Sequence, residues 1–165
     1  FTSRLNSALR INSGLTYGAR STFDQLLRPG PFVISSYTRN ATTEKAIDTT
    51  LAALSEFHQK GVTQAELDSA RAYMKGQFPL AIETTDRLAS TMAQLEFYLL
   101  DESDINSYAA KVDAMTLDDT RRIIDQSFPL DSLYFVFIGK ASEIQSVATK
   151  YAPTVDTKAI TEPGF

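Results

Sequence analysis

The chain has 165 residues, 43% of them hydrophobic and 22% charged, with a net charge of −4; this is enough apolar material for a domain with its own core, and the acidic balance argues against a nucleic-acid binder, which usually carries a basic patch. It has no cysteine and a single histidine, which excludes disulfides and thiolate chemistry, leaves compartment open, and cannot supply the three protein ligands a catalytic zinc typically needs. No run approaches the roughly 18 apolar residues of a membrane helix, and no signal peptide is visible, although the chain opens at Phe1 inside a helical pattern, so further sequence upstream is expected.

Leu5, Ala8 and Leu9 recur at spacings of three and four, which predicts an opening helix. Gly14 comes after the last periodic residue, where a left-handed cap wants no Cβ. Leu15, Tyr17 and Ala19 then alternate with Thr16, Gly18 and Arg20, the pattern of a strand beginning near Tyr17. Arg10 thus falls in the last helical turn and Tyr17 just beyond a tight corner. Arg28-Pro29-Gly30-Pro31 is a turn signal, and Phe32 to Thr38 reads as a second strand, antiparallel to the first across a long tip.

Asn40 to Glu44 starts a helix with Ile47, Leu51, Leu54 and Phe57 as its apolar stripe, ending at Lys60 and Gly61. Thr63 and Glu66 form a capping box for a helix running to about Phe78, which Pro79 should stop or kink. Glu83 to Leu100 is a long helix with Leu88, Met92, Leu95 and Leu99 in register. Asp104 to Met115 is another, and Thr116-Leu-Asp-Asp119 caps a further one to about Ser127. Leu133 to Ile138 is an unbroken apolar run, predicting a central strand covered on both faces. Ala141 to Lys150 is a short last helix, and 152–165 an irregular extension. The fold class is α+β: a small, mostly antiparallel sheet faced by helices. Its central strand has few neighbours to pair with, and sheet edges must be filled or guarded. A fragment of a larger domain, or a chain that finds strand partners elsewhere, is therefore expected.

Few residues can carry chemistry. The inverted zinc motif H-x-x-E-H is absent, and His58 lies near a helix end, the place of a core-edge side chain or a dipole partner. Asp118 and Asp119 point about 100° apart on a helix, so capping suits them better than proton sharing. No G-x-S-x-G occurs, and Gly14 and Gly18 do not lead from a strand into a helix as a phosphate loop requires. Arg4 reads as a surface ion-pair residue. On local grounds Arg10 can simply bond open helix carbonyls, and Tyr17 can be an ordinary strand tyrosine.

Phe1-Thr-Ser-Arg-Leu-Asn6, Leu9-Arg10 and Gly14-Leu-Thr-Tyr-Gly18, with Pro31-Phe-Val-Ile-Ser-Ser36, Gly61-Val-Thr-Gln-Ala-Glu-Leu67, Lys75-Gly-Gln-Phe-Pro-Leu80 and Ile138-Gly-Lys140 after them, together resemble a known family. It is the pitrilysin/insulinase family of zinc peptidases, and the likeness is to its C-terminal-type, non-zinc domain, shared with mitochondrial processing peptidase subunits and bacterial zinc proteases. The likeness covers about residues 1–151. In that family this domain type lacks the zinc motif and offers an Arg and a Tyr to substrate; Arg10 and Tyr17 fall on those positions. The resemblance implies no cofactor or metal bound by this chain and zinc in a partner domain, on the same chain or another subunit. It implies a peptide or protein substrate, a chamber wall rather than hydrolysis by this chain alone, a possible homo-oligomer, and no nucleic acid or membrane. It also implies bacterial periplasm, with cytoplasm as the alternative. Guanidinium and phenol both donate hydrogen bonds, so they can hold a peptide carbonyl or a tetrahedral oxyanion. A scaffold subunit of the same fold, without proteolysis, and an unrelated α+β binding module are the competing expectations.

Overall fold

The computed structural model describes residues 3–163. In chain order the elements are α1 (Arg4–Asn6) running into a π-helical stretch (Ser7–Asn12), β1 (Ala19–Phe23), β2 (Phe32–Ser36), a 3₁₀ turn (Asn40–Thr42), α2 (Thr43–Lys60), α3 (Gln64–Ile82), α4 (Thr85–Tyr98), α5 (Ser103–Asn106), α6 (Tyr108–Ala114), α7 (Leu117–Ser127) and α8 (Ala141–Ala148). They fall into two compact units: Phe1–Thr22, Phe32–Glu56 and Pro129–Phe165 form the first, Phe23–Pro31 and Phe57–Phe128 the second.

In the first unit the opening helix starts on Ser3, whose Oγ accepts from the Asn6 amide at 3.3 Å. Its second half is widened: Ser7–Asn12 is π-helical, a wider ladder found mostly as a single turn. Gly14 has φ +60°, the left-handed cap its position predicts. Beyond it the Leu15 amide donates back to the Leu9 carbonyl at 2.9 Å, and the Leu9 side chain is fully buried.

β1 and β2 form a two-stranded antiparallel sheet. The first strand begins at Ala19, not at Tyr17 as alternation predicts. Thr16 is the reason: its Oγ1 accepts from the Gly18 amide at 3.1 Å and donates to the Gly18 carbonyl at 2.9 Å. A short polar side chain thus draws the backbone out of ladder geometry, and Tyr17 stands on the resulting bend.

α8 packs on the 3₁₀ turn of this unit. Asn40 Nδ2 donates to Glu143 at 2.7 Å, Lys150 pairs with Glu44 at 2.6 Å, and the Tyr151 hydroxyl donates to Asp48 at 2.6 Å. Burial first, then the bond to Asp48, pushes the Tyr151 phenol up to about 12. Ile144 and Ala148 of α8 join Leu9 and Leu54 as buried apolar residues.

The expected central strand takes a different form. Leu133–Ile138 is extended, with Leu133, Phe135 and Phe137 half-buried, and the Phe135 ring lies 5.8 Å from Tyr151. On the other face Tyr134, Val136 and Ile138 are 98%, 87% and 82% exposed. Among the described residues it pairs with no strand. An apolar run of β-branched and aromatic residues sets the extended geometry; a ladder also needs a neighbour, and the sequence run cannot provide one.

In the second unit, α3 begins on the expected capping box. The Thr63 hydroxyl accepts from Glu66 N–H at 3.2 Å, and the Glu66 carboxylate accepts from Thr63 N–H at 2.8 Å. α3 continues through Pro79 to Ile82, so the proline neither stops it nor marks its end. The helix loses one amide donor there and goes on through the helix-forming Leu80 and Ala81. α3 packs on α4 and α6, with Phe78 stacked on Tyr108 at 4.0 Å and Lys75 paired to Asp113 at 2.6 Å.

The α4 stripe is only partly inside. Leu95 is 8% exposed, but Leu88, Met92 and Leu99 are 43%, 48% and 85% exposed. Leu99 is not helical at all: it caps α4 with φ 57°. The expected helix 104–115 is two pieces, α5 and α6, broken at Ser107. α7 opens on Thr116, whose Oγ1 accepts from the Asp119 amide at 3.1 Å while the Asp119 carboxylate accepts from Thr116 N–H at 3.0 Å. Those bonds to Thr116, with a lesser one from Arg122, hold the Asp119 carboxyl below the usual carboxylate range. His58 approaches Asp125 at 3.9 Å and its carbonyl accepts from Arg121, the helix-end placement expected of it.

Candidate functional site

The corner between the π-helical turn and the sheet forms one side of an open groove of about 410 Å³. The helix contributes Asn6 and Arg10, the start of β1 contributes Gly18, Ala19 and Arg20, and the end of β2 contributes Ser35, Ser36 and Tyr37. Everything that lines it belongs to the first unit.

Local bonds fix its walls. Asn6 Oδ1 accepts from the Ala19 amide at 3.0 Å, which ties the helix to the first strand residue. Ser36 Oγ donates to the Gly18 carbonyl at 3.1 Å, and Thr38 Oγ1 donates to the Leu15 carbonyl at 2.8 Å. The segment from Leu15 to Ala19 is therefore held from both sides, and the corner is a built feature of the fold. The Asp24 amide donates to the Pro31 carbonyl at 3.1 Å at the far end of the antiparallel pair, and that register puts Ser35 across the ladder from Arg20.

Arg10 stands in the groove wall, as a residue of the π-helical turn. Tyr17 does not line the groove; it is 81% exposed on the bend just before β1. The groove has its own phenol, Tyr37, and a second guanidinium, Arg20. Sequence reasoning named neither of these two as a site residue. The available signal was their place at facing ends of two adjacent strands, and it becomes visible only once the register is known.

The chemistry of this set is donation. Two guanidiniums, a phenol, the Ser35 hydroxyl and the Asn6 amide group can hold carbonyl or anionic oxygens. The set contains no imidazole, thiol or carboxylate to act as base or nucleophile. The lone histidine, His58, lies in the second unit, and no group of three or more His, Cys, Asp or Glu among the described residues is arranged to hold a metal ion.

Comparison with known proteins bears on the same residues. Residues 1–74 match the family model described as the peptidase M16 inactive domain. A curated relative, the "Non-peptidase homolog YmxG" of Helicobacter pylori, is 27% identical over 142 residues, covering 84% of this chain and 32% of that protein. Among solved structures, the peptidase M16 inactive domain from Pseudomonas fluorescens superposes with TM-score 0.73 at 26% identity, covering 79% of this chain and 31% of the other. A crystal structure described as a protease from Helicobacter pylori shares the fold, with TM-score 0.64 at 22% identity over 78% of this chain and 31% of its own. The chain thus spans about a third of the length of each of these relatives. The likeness read from the opening residues holds in sequence over residues 1–74 and in three dimensions over 79% of the chain: it carries the fold of the peptidase M16 inactive domain.

Proposed function

We propose that this domain is a non-catalytic, peptide-contacting part of a peptidase M16-type assembly, and that Arg10 and Tyr17 meet a peptide held against a zinc-bearing domain on the same chain or another subunit. The observation that carries this reading is the place of Arg10 in an open groove whose lining donates hydrogen bonds and holds no imidazole, thiol or carboxylate. Such a surface can orient a peptide carbonyl and stabilise charge on it, while hydrolysis is left to the zinc-bearing partner.

The test is to reconstitute the domain with its zinc-bearing partner and assay peptide cleavage. If the bonds strengthen as the carbonyl becomes an oxyanion, Tyr17→Phe lowers kcat more than it raises KM, by about 10²–10³-fold, as removal of one oxyanion donor does. Arg10→Lys is also costly, because an ammonium cannot copy the planar fork. Full activity in both variants, or activity lost only with unfolding, refutes these roles.

A second reading keeps the same domain as a scaffold without proteolysis. It is supported by the name of the relative, a non-peptidase homolog. Under it the reconstituted assembly binds partner but cleaves no peptide, and neither substitution changes assembly.

A further inference from the structure

We propose that the groove selects peptides that carry a carboxylate, with Arg20 as the selecting residue. This deepens the peptide-binding reading above and rests on it. The chain as a whole is acidic, at −4, yet the groove inverts that sign: Arg10 and Arg20 line it, and none of its lining residues is Asp or Glu.

Several of its donors are also uncommitted. Asn6 and Ser36 spend side-chain atoms on Ala19 and Gly18. Arg20, Ser35 and Tyr37 make no side-chain hydrogen bond or ion pair among the described residues. Arg20 and Ser35 face each other across the ladder, so their tips rise from the same face of the sheet. A guanidinium fork beside a hydroxyl matches the two oxygens of a carboxylate. A neutral peptide leaves Arg20 solvated and gains nothing from it, whereas a carboxylate beside Arg20 gains charge-assisted bonds. The groove is open to water, so the gain falls at the low end for bonds to charged groups, roughly tenfold in affinity, and shrinks as salt is raised.

The carboxylate can come from an acidic side chain or from a peptide C-terminus, and the two are separable. Fluorescence anisotropy on the full chain uses three labelled, extended peptides of matched length. One is neutral and amidated, one is amidated with a central Glu, and one is neutral with a free C-terminal carboxylate. The expected result is about tenfold tighter binding of the Glu peptide, the terminal peptide, or both, over the neutral one. The peptide that gains identifies the source. Arg20→Gln brings the favoured peptide down to the neutral level, and Ser35→Glu does the same by placing a carboxylate opposite Arg20. Because both side chains are exposed, circular dichroism should show both variants folded. Equal binding of all three peptides, or a preference that survives both variants, overturns the carboxylate selection while leaving peptide binding intact. Binding of none of the three overturns the peptide-groove reading itself.

Discussion

Leu9→Ala is the substitution that should disturb the first unit most. Leu9 has no solvent exposure, and with Ile124 it is one of the two largest fully buried side chains among the described residues. Its backbone carbonyl also receives the Leu15 amide that closes the corner. Truncation of a buried Leu costs about 2–5 kcal/mol, rising with the cavity that cannot collapse. At Leu9 the surrounding segment is pinned by Asn6, Ser36 and Thr38, so little relaxation is available and about 3–5 kcal/mol is expected. Leu95→Ala provides the contrast. That side chain is 8% exposed, and its stripe neighbours Leu88 and Met92 are 43% and 48% exposed; they can move into the space, and about 2–3 kcal/mol is expected. His58→Ala should cost less than about 1 kcal/mol, as surface-edge substitutions do. Urea denaturation read by circular dichroism and by tyrosine fluorescence measures all three, with midpoints compared at unchanged slope. A midpoint shift for Leu9→Ala no larger than that for His58→Ala would refute the argument from burial.

Two more outcomes rest on individual features. The Asp119 carboxyl titrates below its ordinary range through its bonds to Thr116, so its contribution to stability is present above the unfolded carboxylate pKa and is lost as pH falls through the folded one; Thr116→Ala, which removes the hydroxyl bond and leaves the backbone one, should flatten that acid limb in part and move the Asp119 carboxyl, tracked by NMR titration, toward the usual value. Tyr134, Val136 and Ile138 form an exposed apolar row on a segment that pairs with no strand among the described residues, a template for strand-to-strand association; the double variant Val136→Lys, Ile138→Lys should reduce self-association in light scattering, and unchanged association would show that the row is not the contact.

The helix ends were legible because caps are local chemistry. Gly14 and Gly61 take positive φ where the apolar periodicity stops, and both threonine boxes close as their four-residue span dictates. The π-helical widening was not legible, since a one-residue change of hydrogen-bond register leaves Leu5, Ala8 and Leu9 on the same face. Pro79 misled because a proline forbids one bond and leaves the conformation of Leu80 and Ala81 to their own preferences. Leu88, Met92 and Leu99 misled because helical spacing says which residues share a face, not whether anything covers it. Leu133–Ile138 shows the same limit for strands: β geometry is written in six side chains, pairing in residues far away. At the site, Arg10 and Tyr17 were named through the family resemblance; the last-turn position and the alternation gave only their local placement, and Thr16 interrupts that alternation. Arg20 and Tyr37 needed the strand register, which is a tertiary fact.

The division of the chain has a consequence for the order in which it can assemble. The second unit is built largely from one uninterrupted stretch, Phe57–Phe128, and its helices meet neighbours close by in sequence. The first unit is different: Asn40 reaches Glu143 and Lys150 reaches Glu44 over separations of 103 and 106 residues. Closing so long a loop carries an entropy cost that short-range helix pairing avoids, and contacts of that span slow folding. During synthesis, α3 to α7 therefore leave the ribosome with their partners already present. The helix and hairpin of the groove corner are made early, and the contacts of their unit with α8, the last helix among the described residues, form only once that helix has been made.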